Sequence, residues 1–197
     1  MVGLNCGPFW LVKGLLVAAA VVVLAVVVVG LALSVVSYNG LVRRRDQVDS
    51  AWSQVDMELR RRSELIPNLV ETVNGYAGHE RGTLDAVTEA RSRAIGAHGP
   101  VQQGSAESAL TGALKSLFAV VESYPDLRAS QSFIELQQEL SATEDRAAYA
   151  RQYYNDAVLT YNNAVTAAPQ RILAAIFRFR TREYFQAGGK ELGPVRV

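Results

Sequence analysis

The chain has 197 residues, with 20 Lys and Arg against 19 Asp and Glu, a formal net charge of +1. Removing an apolar N-terminal stretch still leaves roughly 160 residues, enough for one domain with a sizeable core. Lys13 is the only charged residue among the first 36, so the remainder is formally neutral. A neutral domain without a long basic run argues against nucleic acid, where phosphate neutralisation supplies most of the affinity. The single cysteine, Cys6, rules out an intrachain disulfide and a cysteine-built metal cluster.

After a short segment, 1–13, the stretch from Gly14 to Val36 carries no charge and includes fifteen Val or Leu residues. As an α-helix it would reach about 34 Å, against a hydrocarbon core of about 30 Å. Valine is a poor helix former in water. In lipid every backbone group must be bonded internally, and that need overrides the propensity. The run is too long for the apolar part of a signal peptide, so 14–36 reads as an uncleaved transmembrane helix. Lys13 stands alone before the span, while Arg43, Arg44 and Arg45 follow it. The positive-inside rule then puts the N-terminus outside and the main domain in the cytoplasm.

From Leu41 the apolar positions recur at steps of three and four through Val48, Trp52, Val55, Leu59, Ile66, Leu69, Val73, Tyr76, Leu84 and Val87. That stripe is one face of a bundled helix. Pro67 removes an intrahelical bond and crowds the preceding turn, so a kink or break is expected near Arg62–Ile66. Gly96 to Gly104, with three glycines and Pro100, reads as a loop. A shorter helix follows on Leu110, Leu114, Leu117 and Val121 and ends before Tyr124-Pro125. Ser132 with Glu135 suggests a capping box for a long helix ending at Pro169. The segment from Gln170 to Phe185 is amphipathic, and a flexible tail is expected over 187–197. The fold expected is therefore all-α: one transmembrane helix, then over 37–186 an antiparallel bundle of three to four long helices.

Polar residues on the apolar seams are the sharper clues. Arg62 lies seven residues after Val55 and seven before Leu69, and Glu80 falls on the same stripe. Glu144, Arg151, Asn155 and Asn162, spaced seven, four and seven apart, share one face of the long later helix. A buried charge costs several kcal/mol unless paired, so Arg62 requires a carboxylate, with Glu144 the first candidate. Such a network fixes helix register, or binds a polar ligand between helices.

Several blocks carry a resemblance. They are Tyr38-Asn39-Gly40-Leu41-Val42; Arg61-Arg62-Ser63-Glu64-Leu65-Ile66-Pro67-Asn68-Leu69-Val70-Glu71-Thr72-Val73; Gly75-Tyr76-Ala77; and His79-Glu80. In the second half they are Phe133-Ile134-Glu135-Leu136-Gln137, Thr143-Glu144, Ala150-Arg151, Tyr154-Asn155-Asp156-Ala157-Val158 and Tyr161-Asn162. In order and spacing these resemble the LemA family of bacterial membrane-anchored helical bundles, over nearly the whole chain from Tyr38 to Phe185. The chain departs from the family pattern at Ser63, where aspartate is usual, and at Ala168, where an aromatic is common. The resemblance implies an N-terminal anchor and a helical bundle; it implies no reaction.

Signatures of chemistry are incomplete. His79-Glu80 would need a second histidine where Thr83 stands, and His98 lies in the Gly/Pro loop. Gly188-Gly189-Lys190 lacks the upstream glycine of a phosphate loop. The residues therefore call for no catalysis, metal or cofactor. Arg171, Arg178, Arg180 and Arg182, interleaved with Phe179 and other apolar residues, suit either an anionic membrane surface, a subunit contact, or a cap on the bundle. The expected partners are the lipid bilayer and another membrane or cytoplasmic protein, or a second copy of the chain. The expected role is that of an adaptor or scaffold at a bacterial plasma membrane, or of a self-associating protein that organises it.

Overall fold

The computed structural model describes residues 8–186, with side chains from residue 13. Cys6, the Gly188-Gly189-Lys190 stretch and the tail expected from residue 187 lie outside the described residues. Six helices follow in order: α1 (Pro8–Ala77), α2 (Arg81–Gly96), α3 (Gly99–Val121), α4 (Pro125–Arg128), α5 (Gln131–Thr166) and α6 (Gln170–Ile176). Among the described residues there is no strand, as the 3.6-residue periodicity requires.

The chain divides into two compact units. The first joins Met1–Arg43 with Ala164–Arg180. In it every side chain from residue 14 to 33 is exposed. This is a helix long and apolar enough to cross a membrane. The phenol ring of Tyr38 packs on Phe177 at 4.8 Å and on Phe179 at 5.8 Å between ring centres. Helix α6 ends at a Schellman turn. Phe179 N–H donates to Ala174 O at 2.9 Å while Arg178 sits at φ 58°. The amphipathic segment expected to reach Phe185 is thus helical only to Ile176.

The second unit, Arg44–Asn163 with the chain from Thr181, is the bundle. Gln47 Nε2 donates to the Tyr153 hydroxyl, Arg146 reaches Glu58, and Arg61 reaches Glu139. As residue numbers rise along α1 they fall along α5, so the two run antiparallel. Ile66, Leu69 and Val73 of α1 share one core with Leu84 and Val87 of α2, Leu110, Leu114 and Leu117 of α3, and Phe133 and Leu140 of α5.

Four local expectations change. Pro67 does not break α1, which runs on to Ala77. A proline at 67 orphans the carbonyl of Ser63, four residues back. Arg91 Nε of α2 donates to that oxygen at 2.7 Å and restores the lost bond. The chain turns instead after Ala77, where the helix ends and Gly78 stands. Tyr76, placed on the stripe by spacing, is exposed there. The loop expected over Gly96–Gly104 shrinks to residues 97 and 98. Gly99 takes φ 79°, and Pro100 sits in the first turn of α3, where its missing N–H costs nothing. Ser132 lies inside α5, which begins at Gln131, and Ser130 O accepts from Ile134 N–H at 3.1 Å.

Candidate functional site

Arg62 is 4% exposed at the centre of the bundle. Its Nη1 lies 2.9 Å from Glu107 Oε2 and 2.9 Å from Glu144 Oε2, and its Nη2 donates to Thr111 Oγ1 at 3.0 Å. One guanidinium thus ties α1 to α3 and α5. Glu107 is 1% exposed and accepts a longer bond, 3.4 Å, from Gln103 Nε2, which also donates to Ala94 O of α2. Arg151 Nη2 donates to Glu144 Oε1 at 2.7 Å. The chain Glu107–Arg62–Glu144–Arg151 therefore balances two positive against two negative charges.

The balance is not even along this chain. Burial pushes the Glu107 carboxyl above its ordinary 4.5, and the neighbouring Arg62 charge and hydrogen bond offset this only in part. Glu144 Oε2 is shut off from solvent without an aligned hydrogen bond. Its 2.9 Å contact with Arg62 is a Coulombic one. Beside it a cavity of about 290 Å³ opens between α3 and α5, lined by Leu114, Phe118 and Leu140 with Lys115, Gln137 and Asp145. Among the described residues no group of three or more His, Cys, Asp or Glu side chains is placed to hold a metal ion.

Asn155 and Asn162 do something else. Asn155 Nδ2 donates to Phe185 O at 3.1 Å while its Oδ1 accepts from Phe185 N–H at 2.8 Å. Asn162 pairs in the same way with both backbone groups of Arg182, at 2.9 and 2.8 Å. Seven residues along a helix advance about 10.5 Å, and three residues of extended chain advance about 10 Å. The asparagine spacing on α5 matches the backbone it holds, so residues 182–185 form a strap laid along α5. Between the two clamped residues, Glu183 O accepts the Tyr154 hydroxyl at 2.8 Å. Burial pushes that phenol up to about 12, which keeps the donor proton in place.

Side chains seat the strap as well. Phe185, 3% exposed, packs against Trp52 at 6.4 Å and under the Arg151 guanidinium at 5.6 Å. Arg182 Nη2 pairs with Asp49 Oδ1 at 2.8 Å. At the far end, a Cβ on Gly104 would collide with the Gln186 backbone, so only glycine lets the strap pass α3.

The expected residues are thus sorted differently from their spacing. Arg62, Glu144 and Arg151 come together. Asn155 and Asn162 serve the strap. Glu80 stands apart as the N-cap of α2, its backbone oxygen accepting from Thr83 and Leu84, outside the Arg62 contacts. Phe179 is engaged by Tyr38 and Arg182 by Asp49, while Arg171, Arg178 and Arg180 remain exposed. Within the Arg62 network, Glu107 is the carboxylate that sequence reasoning missed. It precedes Leu114 by seven, the same criterion that singles out Arg62, but the loop expected up to Gly104 hid the helix on which it sits.

Comparison with known proteins places this architecture. A sequence model of the LemA family matches residues 51–197. The magnetosome protein MamQ 2 of Paramagnetospirillum magneticum is 28% identical over 91% of this chain and 75% of its own length. The magnetosome protein MamQ of Magnetospirillum gryphiswaldense is 28% identical over 75% of this chain and 64% of its own. Protein LemA of Metamycoplasma hominis is 28% identical over 64% of this chain and 58% of its own. None of these names is that of an enzyme. The matched region takes in every residue of the Arg62 network and of the strap, and the chain belongs to the LemA family.

Proposed function

We propose that this is a non-enzymatic adaptor or scaffold, anchored by α1 in a bacterial plasma membrane with its N-terminus outside and the bundle in the cytoplasm. One observation carries the reading. Helix α1 carries both the exposed apolar run and the first stripe of the bundle core. An enzyme needs groups that meet a reacting atom. Here the inward-facing charges are spent on one another, which favours a structural role for them. The asymmetry of Lys13 against Arg43, Arg44 and Arg45 supports the orientation.

Cross-linking of the tagged full-length protein in native membranes, followed by quantitative mass spectrometry, tests the proposal. One enriched foreign protein in fixed ratio is the result expected of an adaptor. Turnover of a metabolite by the purified chain would refute the non-enzymatic reading. The long first helix and the basic, apolar segment from Arg171 to Arg182 favour a second reading, in which copies of the chain associate and organise the bilayer. Self-links alone, at high multiplicity, are what that reading predicts.

A further inference from the structure

The unit that contains the apolar run carries a second hydrophobic surface. On α6, Ile172 and Ile176 stand one turn apart, opposite buried Ala174, and each is 66% exposed. Phe177, which follows the helix, is 54% exposed even though one edge of its ring meets Tyr38. Among the described residues, the side chains of Ile172 and Ile176 and much of Phe177 are left uncovered. Their position supplies a cover. Tyr38 comes two residues after Val36, the end of the apolar run, at the level where aromatic rings collect at membrane interfaces. Its ring contacts with Phe177 and Phe179 therefore hold the end of α6 beside that same level.

Charge points the same way. None of the 19 acidic residues falls within Met1–Arg43 or Ala164–Arg180. The charged side chains of this unit are Lys13 before the apolar run, and Arg43, Arg171, Arg178 and Arg180 beyond it. A wholly basic rim around an exposed apolar face is the composition of a helix lying in the plane of an anionic bilayer.

We propose that α6 and residues 177–180 form an in-plane foot, with Ile172, Ile176 and Phe177 set into the headgroup–acyl boundary and Arg171 and Arg178 among anionic lipid headgroups. The inference rests on the reading of 14–36 as a membrane span. It adds a second contact with the bilayer, one that responds to lipid charge where the span does not. The exposed face continues a surface already committed to lipid, so the bilayer is its occupant.

The test uses the full chain with Cys6→Ser and a single environment-sensitive fluorophore on Ile176→Cys, Val23→Cys or Tyr149→Cys. Each variant is reconstituted in phosphatidylcholine vesicles with or without phosphatidylglycerol. Spin-labelled lipids quench the fluorophore at headgroup depth or near the bilayer centre. The foot predicts severalfold stronger headgroup-level quenching at residue 176 than at bundle residue 149. That quenching should increase with phosphatidylglycerol and fall in high salt or with Arg171→Glu and Arg178→Glu. Quenching at 176 that ignores phosphatidylglycerol would overturn the anionic recognition. Absence of lipid quenching at 176, with or without a blue shift from a second copy, would overturn the foot while quenching at 23 upholds the span. Loss of deep quenching at 23 would remove the spanning reading, and the foot with it.

Discussion

Arg62→Ala removes the guanidinium that touches both Glu107 and Glu144. Glu107, 1% exposed, would keep only the long bond from Gln103. A carboxylate in that position has two courses. It can stay ionised and uncompensated, or take up a proton. Protonation at pH 7 of a group whose ordinary value is 4.5 costs at most about 3.4 kcal/mol, at 1.36 kcal/mol per unit. Loss of the Thr111 bond and of the packed side chain adds to this, which agrees with the roughly 3–5 kcal/mol typical of a broken buried pair. The helical signal of the full-length protein in mild detergent, followed through urea and through heating, gives the number. The expected fall in melting temperature is about 6–20 °C. In a Glu107→Gln background the same substitution should cost less, because the Glu107 carboxylate is no longer left behind and Glu144 keeps Arg151. A loss below about 1 kcal/mol in the wild-type background would refute the reasoning, since it would mean that water reaches the pair.

Three further outcomes follow from the same contacts. Because burial raises the Glu107 value above 4.5, the folded state releases that proton at a higher pH than the unfolded state does. Its contribution is fully present below 4.5 and is lost as pH rises through the raised folded value. The stability of the wild type relative to Glu107→Gln, from urea unfolding at stepped pH, should accordingly decline as pH rises above 4.5; a flat difference would contradict this. Arg91→Ala should cost about 1–3 kcal/mol with Pro67 present, since it reopens the Ser63 carbonyl. With Pro67→Ala the restored N–H takes over, so a double-mutant cycle should show coupling of about 1 kcal/mol, and simple additivity would argue against the repair. Asn155→Ala with Asn162→Ala should speed hydrogen exchange at Arg182 and Phe185 by at least tenfold, and Gly104→Ala should loosen the end at Gln186, with the helices intact. Unchanged exchange would mean that side-chain packing alone holds the strap.

The sequence disclosed what depends on periodicity and missed what depends on distant partners. The Leu41–Val73 stripe, the apolar span and Arg62 on its seam were all legible because position within a helix determines burial. The continuity of α1 through Pro67 was not, since it depends on Arg91, 28 residues away along the chain. Asn155 and Asn162 were recognisable as a shared face, but their use was not. Their partners are backbone groups of residues 182 and 185, and backbone groups carry no residue signature. Gly104 looked like loop punctuation, although it lies inside α3 as the gap through which the strap passes.

The central claim, a helical bundle held to the bilayer by an uncleaved apolar helix, is tested most directly by alkaline carbonate extraction of membranes carrying the full-length chain, with intact mass read on the same fractions. The account predicts that the protein stays in the membrane pellet at the mass of all 197 residues. Release into the supernatant, or a product shortened by the apolar run, would contradict it.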